Sequence, residues 1–171
     1  MNRFLLFISA AFLGLLVSQT SCAEGENIQA AINRDVWLPY SRSYADVDGP
    51  LHRSLYHPEI IRVLSGHKAV EGGDAYLDHV LKYMAQARKN RVDMHIDFRF
   101  SKRVNSDEEA FEEGIYRYLS KGTDGVVFEA YSRFYAIHRL VDGRWRLLVD
   151  LDMGEASVED WEAAPIRMAS Q

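Results

Sequence analysis

Arg91-Val92-Asp93-Met94-His95-Ile96-Asp97-Phe98-Arg99-Phe100-Ser101 decides the fold. Val92, Met94, Ile96, Phe98 and Phe100 alternate strictly with charged or polar residues. A period of two puts all the apolar side chains on one side of an extended chain, so this is a long strand with one buried face. The period persists downstream. Phe111 to Leu119 reads as another strand and Val126 to Leu140 as a third, long one. Asp142-Gly143 is a hairpin turn, after which Trp145, Leu147, Val149 and Leu151 alternate along a last strand.

Upstream the period is helical. Ile28, Ala31, Ile32 and Val36 form one stripe and predict a helix over 26–46. Pro39 interrupts it and predicts a kink or two abutting helices. Asp48-Gly49-Pro50 is a turn from which Pro50 opens a short helix through Tyr56, ended by His57-Pro58. Ile60 to Leu64 reads as a short strand. Gly72-Gly73-Asp74 offers a loop and an N-cap, and Leu77, Val80, Leu81 and Met84 follow at helical spacing through Lys89.

Helices first, then consecutive strands, is an α+β pattern. The expected architecture is a cone-like, curved, mixed or antiparallel β-sheet packed against about three N-terminal helices. Long strands curl to bury one face against few helices, which leaves a small-molecule cavity between the layers.

The ends of the chain differ from this body. Asn2 and Arg3 precede an uncharged apolar run, Phe4 to Val17, and then the small, polar Ser18 to Ala23. That order is a secretory signal and is short for a membrane span. Ser21 and Ala23 suit ordinary cleavage before Glu24. Alternatively Cys22, the only cysteine, is the lipid-modified first residue of a bacterial lipoprotein, although Gln19 stands where such a signal prefers Leu. Either way the mature domain has no disulfide. The expected division is a signal peptide over 1–23, one domain over 24–153 and a loosely docked extension over 154–171. The product is expected in the periplasm or outside the cell, or lipid-anchored in the envelope.

The net charge of −5, without a basic run, argues against a nucleic-acid partner and against adhesion to an anionic membrane. Membrane contact would come only through a lipid at Cys22. No Gly-x-Ser-x-Gly is present, and Gly72-Gly73 belongs to no phosphate loop. No cofactor is implied. Asp93, His95 and Asp97 share one strand face, but neighbours there stand about 7 Å apart, which suits a solvated face better than one metal ion. His52, His57, His67 and His79 include no His-x-x-x-His pair. His138 shares a face with Phe134 and Ala136, as a core or interface histidine would. Glu129, Tyr131, Arg133 and Tyr135 share the other face, either a polar pocket floor or an outer face meeting a second subunit. Asp150 and Asp152 alternate with the apolar residues of the last strand and read as exposed edge charges.

The chain resembles the nuclear transport factor 2-like superfamily over roughly residues 26–152. The likeness rests on Tyr44 to Asp48 followed by Leu55 to Glu59, on Gly66 to Leu77, and on Arg133 to Arg139 followed by Asp142 to Leu147. That superfamily includes ketosteroid isomerases, polyketide cyclases of the SnoaL type and scytalone dehydratase, and it hosts binders as well as enzymes. An ungapped slide of the isomerase pattern puts Tyr40 at the phenol donor, Leu64 at the base and Tyr135 at the late acid. Leu64 accepts no proton, so the resemblance implies a small-molecule-binding protein. Its ligand would be apolar or aromatic, and the ligand-binding residues would be Tyr40, Tyr135 and Glu129. A homodimer through the sheet is the family's default. An isomerase, cyclase or dehydratase is the alternative, with Asp48, His52, Glu129 and Asp150 as reserve acids and bases. A third possibility is an interaction module whose interior is merely core.

Overall fold

The computed structural model describes residues 27–167. The expected signal peptide and Cys22 lie outside them.

The first helical run covers 28–45 in three parts: α1 (Ile28–Ile32), a π-helical turn (Asn33–Trp37) and α2 (Leu38–Ala45). Pro39 is the physical reason for the middle part. It has no N–H to give the carbonyl one α-helical turn back, and its ring crowds that carbonyl. The wider turn before it, with the Leu38 N–H on the Asn33 carbonyl, lets the run continue through the proline. Asp48 caps α3 (Gly49–Ser54), accepting the Leu51 N–H at 2.9 Å.

Strand β1 (Tyr56–Leu64) begins earlier than Ile60. Pro58 sits inside it because pairing with the last long strand slips between Tyr56 and Ile61, where a missing donor costs little. Strand β2 (Ala69–Gly72) turns back on β1 and leads into α4 (Gly73–Lys89), which buries Leu77, Val80, Met84 and Ala87. Then come β3 (Asp93–Asn105), β4 (Glu109–Lys121), β5 (Val127–Val141) and β6 (Arg144–Glu155); β4, β5 and β6 are each antiparallel to the one before. Asp142 and Gly143 both have positive φ, the turn that matches the twist of a two-residue hairpin.

The sheet order is β2-β1-β6-β5-β4-β3 with a two-residue β7 (Ile166–Arg167) on the far edge. Only β1 and β6 run parallel, so the sheet is mixed, and it is not closed. The fold is α+β, as the order of periods implied. Its inner face packs Phe98, Phe100, Phe134, Trp145 and Leu147 against Ile32, Val36, Trp37 and Tyr40 of the helices.

The antiparallel pairs slip three times; one slip leaves Met153 extra in β6, and the other two reorient the inner face. Phe100 pairs with Gly114 but Lys102 with Glu113, so Ser101 is an extra residue in β3. Ile137 pairs with Val149 but His138 with Leu147, so Leu148 is extra in β6. Beyond each extra residue the inward and outward positions exchange.

The chain after β6 is held more firmly than expected. Ser157 and Asp160 form a capping box on α5 (Val158–Ala163). Trp161 is buried beneath the Arg99 guanidinium, 4.4 Å from its ring, and Arg99 also donates to the Trp161 carbonyl at 2.7 Å. Helix α5 therefore covers part of the outer sheet face.

Candidate functional site

The cone encloses a cavity of about 250 Å³ between the first helices and the curled sheet. Its walls are mainly aromatic: Trp37, Tyr40 and Tyr44 from the helices, Phe98, Tyr116 and Phe134 from the strands. Tyr83, Tyr118 and Phe128 also line it. Tyr83 and Phe128 are among the exposed large hydrophobics, and the Tyr83 and Tyr118 hydroxyls meet at 3.1 Å.

Charge enters this apolar chamber at one place. Arg62 of β1 and Asp150 of β6 both line it and form an ion pair, with 13% and 10% of their side chains exposed. Asp152 stands 3.6 Å from the same guanidinium. The slip at Leu148 turns both aspartates inward, and β6 is an interior strand between β1 and β5. They are therefore not the exposed edge charges that strict alternation implied.

The two carboxylates are treated differently. Asp152 accepts from the Tyr116 hydroxyl at 2.5 Å, the Ser132 hydroxyl at 2.8 Å and the Gly154 N–H at 3.0 Å. Burial works to raise its pKa, but these donors hold it below the ordinary value. Among the described residues Asp150 receives one hydrogen bond, from Arg62. There burial outweighs the guanidinium, and the pKa is raised. Arg62 stays a cation, since Asp150 overcomes the desolvation that opposes its charge.

A chain of polar groups runs behind the wall. The Tyr76 and Tyr40 hydroxyls each lie 3.3 Å from the Tyr56 hydroxyl, which meets His52 Nε2 at 3.1 Å. His52 Nδ1 meets Ser43 Oγ at 2.9 Å, and Ser43 donates to the Tyr40 carbonyl at 2.6 Å. With that hydroxyl committed, Nδ1 carries the imidazole proton and Nε2 accepts from Tyr56. Burial, helped by Arg62, pushes the His52 pKa down to about 3. Burial also pushes the Tyr40, Tyr44 and Tyr56 phenols up, so they are donors and not bases.

A second buried polar cluster lies on the other side of Trp37. Glu112 is 1% exposed and accepts from Trp37 Nε1, from Arg103 Nε at 2.6 Å and from His138 Nε2 at 3.0 Å. Arg103 also donates to Asn33 Oδ1 at 2.8 Å and lies 4.2 Å over the Phe100 ring. Burial would raise the Glu112 pKa, but His138, Arg103 and Trp37 hold it low. His138 Nδ1 is buried without a hydrogen-bond partner among the described residues. His138 is a core residue, as its face implied.

The expected ligand-binding residues are not brought together. Tyr40 lines the cavity. Tyr135 and Glu129 do not: odd-numbered positions of β5 project from the outer face, because Phe134 and Ala136 occupy the inner one. The Tyr135 ring lies tilted against that of Phe111, their centroids 5.8 Å apart, and Glu129 pairs with Arg117 and Tyr131 on the surface. On β1, Arg62 reaches this cavity, while Leu64 lines a neighbouring groove. Of the reserve residues, Asp48 is a helix cap and His52 a buried neutral donor-acceptor. Asp93, His95 and Asp97 stand on the outer face of β3, and no group of three metal-ligating side chains gathers among the described residues. Glu112 and Arg103 escaped sequence reasoning. The usable signal was Glu112 sharing its strand face with Ala110, Gly114, Tyr116 and Tyr118.

Neither a family model nor a curated protein matches the sequence. Solved structures do. A conserved protein from Planctomyces limnophilus superposes with a TM-score of 0.62 at 19% identity, covering 72% of this chain and 93% of its own. A ketosteroid isomerase-like protein from Erwinia carotovora atroseptica gives 0.56 at 16%, over 75% and 98%. A nuclear transport factor 2-like protein of unknown function from Shewanella oneidensis gives 0.57 at 13%, over 74% and 98%. The chain has the nuclear transport factor 2-like fold.

Proposed function

We propose that this protein binds a small, ring-bearing molecule inside the cone and addresses one of its oxygen atoms with Tyr40, Asp150 and Arg62. The observation that carries this is the buried Arg62–Asp150 pair in the wall of a mainly aromatic cavity. Taking a charge pair out of water is costly where nothing uses it. Here Asp150 keeps acceptor capacity that Arg62 alone does not fill. The interior is also not filled by core side chains, as a pure interaction module would require.

The test is calorimetric titration with 4-ethylphenol, a ring with one hydroxyl. Tyr40→Phe and Asp150→Asn should each weaken binding about fivefold to tenfold, the worth of one buried hydrogen bond. Tyr135→Phe, on the outer face, should leave it unchanged. Unchanged affinity in both cavity variants sinks the proposal.

One observation favours an acid–base enzyme of the isomerase, cyclase or dehydratase kind as a second reading. The environments of Asp150 and Asp152 push their pKa values apart, upward for Asp150 and downward for Asp152. In that case Asp150 moves the proton, Tyr40 donates to the substrate oxygen, and Arg62 with Asp152 positions Asp150. Turnover of a ring ketone lost in Asp150→Asn and retained in Tyr135→Phe would select it. Export and a homodimer through the open part of the outer sheet face belong to the same proposal. The mass of the processed chain, denatured and native, tests both.

A further inference from the structure

A second space adjoins the 250 Å³ chamber at Arg62. A groove of about 900 Å³ lies between α4 and the β1–β2 hairpin, and it shares Tyr44, Arg62 and Tyr83 with the chamber as a common wall. The chamber by itself is below the size usual for a small-molecule site, about 300–1,000 Å³, and the groove is within it. The two differ in chemistry. Asp150 lines the chamber beside Arg62, and Asp152 stands 3.6 Å from the same guanidinium, so two carboxylates face one cation, which disfavours an anion. Leu64 and Val80 give the groove an apolar floor. Lys82 lines it and has no ion pair or hydrogen bond among the described residues. The one carboxylate there, Glu71, is taken by His79 Nδ1 at 2.7 Å, a contact that ties β2 to α4.

We infer that chamber and groove form one bipartite site for an amphipathic acid: an oxygen-bearing ring in the chamber, joined to an aliphatic arm that lies over Leu64 and Val80 and ends in a carboxylate at Lys82. Charge sets the direction. Asp150 and Asp152 repel the acid end from the chamber, and Lys82 receives it outside. The inference rests on the chamber binding a ring, as proposed above.

The experiment titrates the full chain with 4-ethylphenol, with 8-(4-hydroxyphenyl)octanoic acid and with the amide of that acid. Each buried methylene tightens binding about threefold to fourfold before ordering costs. The acid should therefore bind at least about tenfold tighter than 4-ethylphenol. Leu64→Trp, which fills the groove floor, should remove that gain and leave 4-ethylphenol unchanged. Gln86→Trp does the same from the exposed side of α4, should Leu64→Trp fail to fold. Lys82→Gln should abolish a roughly threefold to tenfold preference for acid over amide. Equal affinity for 4-ethylphenol and the acid overturns the bipartite site while the chamber proposal stands. A gain that survives both tryptophan variants also overturns it. Failure of both ligands to bind overturns the two together.

Discussion

His52 predicts how the fold responds to acid. It is 3% exposed, held between Ser43 and Tyr56, and its folded pKa is pushed down to about 3 by burial and by Arg62. In the unfolded chain it returns to its ordinary value, 6.5. The neutral ring is therefore the folded form. As pH falls below 6.5 the unfolded chain takes up a proton that the folded chain refuses, so stability is full above 6.5 and lost going down. The loss continues until the folded pKa is reached. Each pH unit is worth about 1.4 kcal/mol, which gives about 2 kcal/mol at pH 5 and about 3 kcal/mol at pH 4. The variant for comparison is His52→Gln, whose amide oxygen still accepts from Tyr56 and which does not titrate. Urea unfolding of both proteins across pH 7 to 4 measures the difference. The variant starts less stable at pH 7, and the gap to the parent narrows by about 2 kcal/mol at pH 5. Parallel curves over that range would show that His52 reaches water or is charged in the folded protein, and the neutral-ring assignment would fail.

Two further outcomes test the interior. Glu112→Ala leaves the Arg103 guanidinium, 4% exposed, without a carboxylate among the described residues, held by Asn33 and the Phe100 ring, and removes the acceptor from Trp37 and His138. Breaking such a buried pair costs about 3–5 kcal/mol, and a thermal midpoint lowered by only about 1 °C in Glu112→Ala would mean the cluster is hydrated. Gly114→Ala places a methyl carbon 2.1 Å from the Arg99 carbonyl oxygen and 2.9 Å from the Phe134 ring. Backbone cannot yield there without opening the β3–β4 ladder, so the variant should lose at least about 2 kcal/mol in chemical denaturation; wild-type stability would place the two strands farther apart.

The long elements were legible because their periods were long. Five alternations in β3 and the stripe on the first helical run leave no second interpretation, and Asp142-Gly143 has the residues that a tight hairpin demands. Tyr40 was reached through the family resemblance, and in the fold it is buried with Ile32 and Val36 of the same helical run. Strand β2 has four residues and β7 two, too few for any period to show. Helix α5 is short and anchored by one tryptophan on a surface built from distant strands. Tyr135 and Glu129 misled because β5 carries aromatic rings on both faces, so only the neighbouring strands decide which face is inner.

The charged residues inside the cone were hidden by one device used twice. An extra residue at Ser101 turns Arg103 inward onto Glu112, and an extra residue at Leu148 turns Asp150 and Asp152 inward onto Arg62. A slip of one residue inverts every later side chain, and no alternation count can anticipate it. The two results are not equivalent. An ionised carboxylate offers about four acceptor positions. Glu112 spends its own on Arg103, Trp37 and His138, and Asp152 on Tyr116, Ser132 and a backbone N–H. Asp150 has Arg62 alone among the described residues, and it lines a chamber. The saturated carboxylates fix the geometry of the cone, and the unsaturated one is where a donor brought by a ligand gains most.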